Sequence, residues 1–363
     1  MKILVVLGWA TGFGGVEKVV RLFTEEMRAR GHEVVIALDQ TGVQSTEWLQ
    51  GQTWSSIDLG MESHGRMWKV RRVGVCVDLL MRVRPDIVLV DIPYWLKSMR
   101  FAKALLWRRK KPLLASWVHT HIDDSAAKWL QYADCHLAIS KVNSERLVRT
   151  MSEEKIRIVH NPVVLPEQPV PRARLGAPHF VFIGRLAREK RVDVLLTAVS
   201  KLSSDIDWRL SIIGDGPHRT ELRRLQSTLD IPSERITWHG WQADPWACID
   251  DASALVLPSP HEGFGLVLVE ALARGVPVII SDTQTALQDV VVGRGAGWNF
   301  RSNDPLALSR ILQGLGSGAL RLSDAAYLAS LSKPYGVASW IANFEQALQE
   351  LLHDHRMTQR TNG

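Results

Sequence analysis

Cysteine is scarce in this chain, with three among 363 residues. Cys76, Cys135 and Cys248 lie far apart and show no Cys-x-x-Cys spacing. That argues against a disulfide scaffold and a thiolate metal cluster, and it is the pattern of buried, reduced thiols in a cytoplasmic protein. No run of about eighteen apolar residues occurs, so no spanning helix is expected. The start, Met1 to Leu7, is too short for a signal peptide and reads as a buried first strand. No Gly-x-Gly-x-x-Gly follows that strand, which weakens a dinucleotide-binding dehydrogenase, although Asp39 stands where a ribose carboxylate would. No nucleic-acid recognition motif appears, and the second half of the chain is slightly acidic, so no nucleic-acid partner is expected. No internal repeat is visible.

What is present suits two soluble domains. Hydrophobic residues make up 46% and charged residues 23%, enough for two sizeable cores. The net charge of +6 is uneven: residues 1–165 hold 24 Lys+Arg against 17 Asp+Glu, and residues 166–363 hold 20 against 21. The first half should therefore face something anionic. Its cations are interleaved with Trp, Phe and Leu at residues 66–72 and 97–111, and the chain has 14 Trp against 4 Tyr. Such runs suit the headgroup region of an anionic membrane surface, and equally a helix with its apolar stripe on the core and its cations in water.

Apolar β-type runs alternate with helical stretches, which predicts an α/β fold of parallel, doubly wound sheets. The expected strands of the first half are Ile3–Leu7, Glu33–Leu38, Ile87–Asp91, Leu113–Val118, Cys135–Ile139 and Ile156–Val159, with a helix over Val16–Arg30. Pro162, Pro166, Pro169, Pro171 and Pro178 read as a stiff linker. A second series follows with Phe180–Ile183, Arg209–Ile213, Ile236–Trp238, Ala254–Leu257 and Val276–Ile280. The expected division is 1–165 for a first domain, 166–336 for a second, 337–352 for a terminal amphipathic helix and 353–363 for a disordered polar tail. Two such domains would place a ligand at the carboxyl ends of their strands, in the crevice between them.

The most informative stretch is residues 261–282. Glu262, Gly263, Phe264 and Gly265 run into a short helix from Leu266, which Gly275 and Pro277 stop before an apolar strand. A helix start of this kind offers free N–H groups and a positive dipole end, which suit a phosphate. Glu262 precedes the helix, and Glu270 interrupts an otherwise apolar one, where an unpaired buried charge would be costly. Ligand hydroxyls are good partners for both carboxylates. The plain alternative is an ordinary loop–helix–strand unit with a solvated Glu262 and a helix-edge Glu270.

Four further constellations stand at strand ends. Thr11-Gly12-Phe13-Gly14-Gly15-Val16-Glu17 opens the first helix, and its glycines permit close backbone approach to a ligand. Gly184-Arg185 and Lys190 follow the second domain's first strand, where guanidinium and ammonium groups suit diphosphate oxygens. Gly214 and Trp241 end the next two strands, and Trp241 is equally suited to stacking or to burial. His119-Thr120-His121 with Asp123 and Asp124 has the residue types of a metal site but lacks further ligands at workable spacing. Asp205-Ile206-Asp207 imitates a metal motif yet precedes a strand, as a surface turn would.

The Glu262-x7-Glu270 element, with its Gly-Phe-Gly and the Gly-Val-Pro-Val strand after it, resembles the signature of the large retaining GT-B glycosyltransferase family, glycosyltransferase family 4. The resemblance implies two Rossmann-like domains facing across a cleft and a terminal helix that crosses back to the first. It also implies a hexose moved from a UDP-sugar, UDP-galactose or UDP-glucose, to a glycan acceptor, with no cofactor and no metal. Gly14 and Gly15 would lie near donor phosphates and acceptor. Arg185 and Lys190 would bind the diphosphate, Gly214 and Trp241 would flank the nucleotide, and Glu262 through Leu266 would hold the donor. Glu270 would take the ribose, and His119 would lie by the donor sugar, with His121 as its substitute. The Gly-Phe-Gly-Gly-Val-Glu start and Ser116-Trp117-Val118-His119 look most like lipopolysaccharide core galactosyltransferases, with a glycolipid acceptor. A sugar-nucleotide epimerase or hydrolase on the same fold, and a non-catalytic UDP-sugar-binding protein, stay open at this point.

Overall fold

The computed structural model describes residues 1–8, 14–39, 45–57, 66–106, 111–119, 122, 124–149, 151–282 and 287–361, with backbone only for 66–69, 124–125, 289 and 360–361. The chain divides into two compact units: Met1–Pro162 with Val337–Gly363, and Val163–Gly336.

In the first unit the elements run β1 (Lys2–Leu7), α1 (Gly15–Ala29), β2 (Glu33–Asp39), β3 (Trp54–Ile57), α2 (Arg66–Val83), β4 (Ile87–Val90), α3 (Pro93–Ala104), β5 (Leu113–Ser116), α4 (Asp124–Leu130), β6 (Cys135–Ala138), α5 (Lys141–Leu147) and β7 (Ile156–Ile158). The strands pair in parallel in the order β3-β2-β1-β4-β5-β6-β7. Central strands read as unbroken apolar runs because both faces are covered, and Ile3 to Leu7 are fully buried. The order reverses direction at β1, so the β1–β4 boundary is the switch point where loops part above the strand ends.

The second unit repeats the plan with β8 (His179–Ile183), α6 (Val192–Val199), β9 (Arg209–Ile213), α7 (Arg219–Thr228), β10 (Ile236–Gly240), β11 (Ala254–Leu257), α8 (Leu266–Ala273), β12 (Val278–Ser281), α9 (Gln288–Val291), β13 (Gly297–Phe300), α10 (Pro305–Ser317) and α11 (Ala325–Ser332). Its parallel order is β10-β9-β8-β11-β12-β13, with the switch point between β8 and β11. A last helix, α12 (Val337–Thr361), belongs to the first unit.

Each strand expected from the apolar runs is present, with ends moved by at most two residues. Two edge strands, β3 and β13, have no apolar run to announce them, and Trp54 of β3 is 41% exposed. The expected tail over 353–363 is instead helical to Thr361. Its first unit neighbours explain this: Leu351 and Leu352 are buried, Arg356 reaches Asp86 at 3.3 Å, and Gln359 donates to the Lys111 carbonyl at 3.3 Å. Near its start α12 places Trp340 and Phe344 against Phe23 of α1 and Trp117 after β5, with Phe23–Phe344 and Trp117–Phe344 centroids 4.8 and 5.0 Å apart.

The proline-rich segment differs from the expected linker. Val163 donates to the Tyr335 carbonyl at 2.8 Å, the Pro171 carbonyl accepts from Ala252 at 2.9 Å, and the Pro178 carbonyl accepts from Arg209 at 3.0 Å. Proline keeps its acceptor while lacking a donor, so this stretch lies hydrogen-bonded along the second unit.

Candidate functional site

In the second unit the turns after β8, β9, β10 and β11 meet at the carboxyl edge of the sheet. The turns after β8 and β9 are locked together: Gly184 donates to Ile213 and Leu186 donates to Asp215, at 3.0 and 2.9 Å. Gly214 has φ +138, and a Cβ there would overlap the Gly184 carbonyl oxygen, so only glycine fits this crossing. Across the switch point, Lys190 Nζ donates to Glu262 Oε1 at 2.6 Å, with 23% and 11% of the two side chains exposed. The Arg185 guanidinium is exposed and has no ion-pair or hydrogen-bond partner among the described residues. Gly265 is the N-cap of α8 at φ +81, and no side chain caps the helix. Phe264 is buried edge-on against Tyr335, 5.7 Å between centroids, which pins the loop that presents Glu262 and Gly263. Two cations, one partner-free, thus share a strand-end edge with an uncapped helix start. That arrangement favours a polyanion.

Glu270, one helical turn beyond Leu266, accepts a bond from Trp246 Nε1 at 3.2 Å. Asp244 fixes Trp246 by accepting its backbone N–H at 3.2 Å, and the Arg274 guanidinium lies 4.9 Å over the Trp246 ring. Burial holds the Arg274 pKa below its ordinary value, while Glu270 and Asp244 pull it back up. The carboxylate is therefore half-buried and oriented rather than freely solvated. Trp241, after β10, is 48% exposed.

In the first unit Gly14 is the N-cap of α1 and Gly15 its first residue, while Thr11, Gly12 and Phe13 lie outside the described residues. Under this turn sits Glu17, only 5% exposed, so close that a Cβ on Gly14 would press on its carboxylate. Asp91 follows β4 and accepts the His119 backbone N–H at 3.4 Å. Burial pushes the Asp91 carboxyl up to about 7, the His119 N–H pulls it back, and negative Glu17 pushes with burial. His119 is 8% exposed, tilted on Trp117 at 4.5 Å, and neither ring nitrogen has a hydrogen-bond partner among the described residues. Burial holds its pKa down to about 3, so the ring is neutral. His121 and Asp123 lie outside the described residues.

The Asp91 shift has a testable sign. A folded pKa raised above its unfolded value of 3.8 means that the native state binds the extra proton between about pH 4 and 7. Stability contributed by this group is present in acid and lost as pH rises through 7. Asp91→Asn keeps an acceptor and removes the charge. It should raise the urea midpoint at about pH 8, by a stability gain of at most about 4 kcal/mol at 1.4 kcal/mol per unit, raise it less at about pH 5, and change it little at about pH 3. A midpoint at pH 8 that is lower in the variant would contradict this.

Sequence reasoning named Lys190, Glu262, Arg185, Gly214 and Gly265, which follow strands of the second sheet at its carboxyl edge, and Glu270, which lies about one helical turn further along α8. It passed over Asp91, Trp246 and Arg274. Asp91 does have a signal, a lone carboxylate closing an apolar strand, whereas Trp246 sits in a polar stretch with none. Asp205 and Asp207 occupy a surface turn before β9, where Asp207 pairs with Arg235 at 2.5 Å. Of the basic run at 97–111, Lys103 is buried against Asp134, which also pairs with the half-exposed Arg100.

Residues 13–167 match the model of Glycosyltransferase Family 4, and residues 167–318 match that of Glycosyl transferases group 1. The chain is similar to the lipopolysaccharide 1,6-galactosyltransferase of Escherichia coli K12, 28% identical over 92% of this chain and 94% of that protein. The Salmonella typhimurium protein of the same name is 29% identical over 80% and 83%. Among solved structures, the lipopolysaccharide outer core galactosyltransferase WaaB in apo form superposes with a TM-score of 0.81 at 25% identity, covering 96% of this chain and 99% of that one. Anabaena HepE in complex with UDP and glucose shares the fold, with a TM-score of 0.77 at 16% identity over 96% and 99%. Two parallel Rossmann-like sheets, strand-end cations beside a Glu-x7-Glu helix and both family models end to end identify one kind of protein: the chain belongs to the family 4 glycosyltransferases, enzymes of the GT-B fold.

Proposed function

We propose that this glycosyltransferase moves a hexose from a UDP-sugar, UDP-galactose or UDP-glucose, to a glycan of the lipopolysaccharide core, with retention at the anomeric carbon. The observation that carries the reading is the Lys190–Glu262 ion pair at the switch point of the second sheet, beside the uncapped start of α8. A diphosphate leaving group concentrates negative charge there as the sugar departs. Arg185, Lys190 and the α8 N–H groups answer that charge without having to be organised at the moment of reaction. Glu262 then holds donor-sugar hydroxyls, Glu270 the ribose hydroxyls, and His119 contacts the sugar as a neutral ring. No side chain in this set is a suitable covalent nucleophile, so the acceptor attacks from the face of the departing phosphate. Similarity to the two galactosyltransferases supports the acceptor class. The deciding experiment incubates the protein with a panel of nucleotide sugars and measures nucleoside diphosphate release with and without membrane glycolipid extract. Release that needs no acceptor would replace transfer by hydrolysis or epimerisation, and binding with no release would leave a sensor.

The reading includes turnover without a divalent metal, because two protein cations offset the diphosphate. Activity should persist in excess EDTA. Full loss, restored by manganese or magnesium, would overturn it and bring back His119, His121 and Asp123.

A membrane-facing first unit is the last part of the reading. No helix among the described residues is long and apolar enough to cross a membrane. The first unit holds 26 Lys+Arg against 20 Asp+Glu, the second 18 against 18, so the whole excess of +6 belongs to the first. Phe101 on α3 and Leu105 just after it are 50% and 65% exposed, and Lys97 reaches over the Trp129 and Tyr132 rings. Each basic residue at an anionic surface contributes about 1 kcal/mol, over a screening length of about 8 Å at physiological salt. Sedimentation with anionic vesicles should be salt-sensitive and fall stepwise as Arg108, Arg109, Lys110 and Lys111 are changed to Ser. Equal binding to neutral vesicles would point to a soluble glycan acceptor.

A further inference from the structure

Four side chains of the second unit form one hydrogen-bonded line. His179 Nδ1 lies 2.7 Å from the Asp251 carbonyl oxygen and 3.0 Å from its Oδ1 atom. His179 Nε2 lies 2.8 Å from Ser211 Oγ, and the same Oγ lies 3.3 Å from His239 Nε2. The line climbs the sheet. Asp251 precedes β11 and His179 is the first residue of β8, so both stand at the amino edge. Ser211 is in the middle of β9, and His239 is the last residue but one of β10, at the carboxyl edge. The register puts them on one face. Ser211 pairs with Val181 and with Thr237, while His179 stands two residues before Val181 and His239 two after Thr237. At its upper end the line meets a bulge. The register shifts between Trp238 and Gly240, Gly240 turns through φ +71, and its carbonyl accepts from Gly214 at 2.7 Å. A bulge leaves a residue unpaired in the ladder and re-aims it. His239 is pinned instead by its ring, on Ser211, and by its carbonyl, which accepts from Gln242 at 3.0 Å.

The contacts order the protons along this line. His179 Nδ1 faces two acceptor oxygens, so it carries a proton. Burial holds the His179 pKa below its ordinary value, with Asp251 pulling it back and Arg209 adding to the burial, so the ring is neutral and Nε2 is an acceptor. The Ser211 hydroxyl then donates to His179, which leaves its oxygen to accept from His239 Nε2. The carboxylate and carbonyl of Asp251, at the far edge, thereby select the tautomer of His239. The other tautomer would set a ring lone pair against the Ser211 oxygen and release the bulge.

We propose that this line positions the turn after β10 for the base of the nucleotide donor, with His179 and Ser211 as positioning residues for base selection. The inference rests on the reading of the donor as a UDP-sugar. In that reading the diphosphate lies by Arg185 and Lys190 after β8. Glu270, assigned to the ribose, accepts from Trp246 in the 3-10 turn that follows β10. A nucleoside that runs from the first to the second has its base at the turn after β10, where Trp241 is 48% exposed. Selecting a base requires donors and acceptors held at fixed places, and a bulged turn holds them only as well as its pins do.

The charged groups that face the line, among the described residues, are Asp251 itself and Arg209 of β9, which pairs with it. One test reads the protons. Long-range 1H–15N spectra of the full chain with 15N-labelled histidine, assigned with His179→Gln and His239→Gln, should show the proton of His179 on Nδ1 and that of His239 on Nε2 at about pH 8. The other test reads the ligand. Ser211→Ala should raise the dissociation constant of UDP and the KM for donor by about 10-fold, the scale of one lost orienting hydrogen bond, and change kcat by less than about threefold. Its preference for UDP over CDP and ADP should fall, while inhibition by inorganic pyrophosphate, which has no base, stays at the wild-type level. Ser211→Thr keeps the hydroxyl and should restore UDP affinity. A general loosening of the sheet edge would weaken pyrophosphate too, because the turns after β8 and β9 are locked together. The proposal is overturned by wild-type UDP affinity and selectivity in Ser211→Ala, by pyrophosphate weakened along with UDP, or by a wild-type His239 with its proton on Nδ1. His239→Ala, at a half-buried position, carries the same expectation if Ser211→Ala does not fold. A wild-type protein that binds no UDP would sink the donor reading and this inference with it. UDP binding untouched by either variant would sink the positioning alone.

Discussion

Glu262→Gln should lower kcat by about 100-fold or more, the scale on which one preorganised polar group acts in a transition state. The substitution keeps size and shape and removes one charge. In the resting protein that charge holds Lys190 at 2.6 Å, with both side chains largely buried. Three consequences follow. The sugar loses an acceptor of full negative charge, and a charge-assisted hydrogen bond becomes a neutral one of about half the strength. Lys190 loses the partner that fixes its ammonium beside the diphosphate path. Lys190 is also released toward any phosphate that binds, so UDP itself should bind as well as before or better. The expected signature is a collapse of turnover without a loss of UDP affinity, seen by steady-state kinetics and calorimetry. Lys190→Ala should differ by losing both, because the diphosphate then meets Glu262 with no cation between them. If Glu262→Gln keeps more than about a third of wild-type kcat, Glu262 is a structural counter-ion for Lys190 and does not hold the sugar.

The two sheets were legible because a parallel sheet covered on both faces must be written as runs of Ile, Val and Leu, and such runs are conspicuous. The edge strands β3 and β13 escaped because one flank of each meets solvent and the pressure toward apolar residues is relaxed there. The helical tail beyond residue 352 escaped for a related reason. Its turns are held by Arg356–Asp86 and Gln359–Lys111 contacts, and polar residues at such positions look the same in the sequence whether they meet water or a neighbour. At the site, spacing alone revealed Glu262 and Glu270, and strand ends revealed Arg185 and Lys190. Spacing could not show that Glu262 and Lys190 touch, since they are 72 residues apart and meet only because β8 and β11 are neighbours. Nor could it show that Glu270 has a protein partner, because Trp246 reaches it from a 3-10 turn after β10 in a stretch with no motif.

That partner sharpens the second large expectation, that Glu270→Ala weakens UDP binding by about 10- to 100-fold, or about 1.4 to 2.7 kcal/mol. The motive is a half-buried carboxylate in an apolar helix, whose Oε2 atom accepts from Trp246 and which lies one turn beyond the uncapped start of α8. Two ribose hydroxyls bonded to a charged acceptor account for an effect of this size. Removal of Glu270 also deprives the Trp246 N–H of its acceptor and removes a negative charge near Arg274, which stacks 4.9 Å over the indole. A packing effect is therefore the competing cause, and two measurements separate them. Trp246→Phe removes the N–H and keeps a ring under Arg274, so it should change UDP affinity by less than about threefold if the ribose contact dominates. A UDP analogue without ribose hydroxyls should bind the wild type about as weakly as UDP binds Glu270→Ala, and the variant should no longer discriminate between the two ligands. Calorimetry on these four combinations gives the coupling directly. Equal discrimination by wild type and variant would show that Glu270 does not touch the ribose. Unchanged UDP affinity in a folded Glu270→Ala protein would show that its charge serves Trp246 and Arg274 alone.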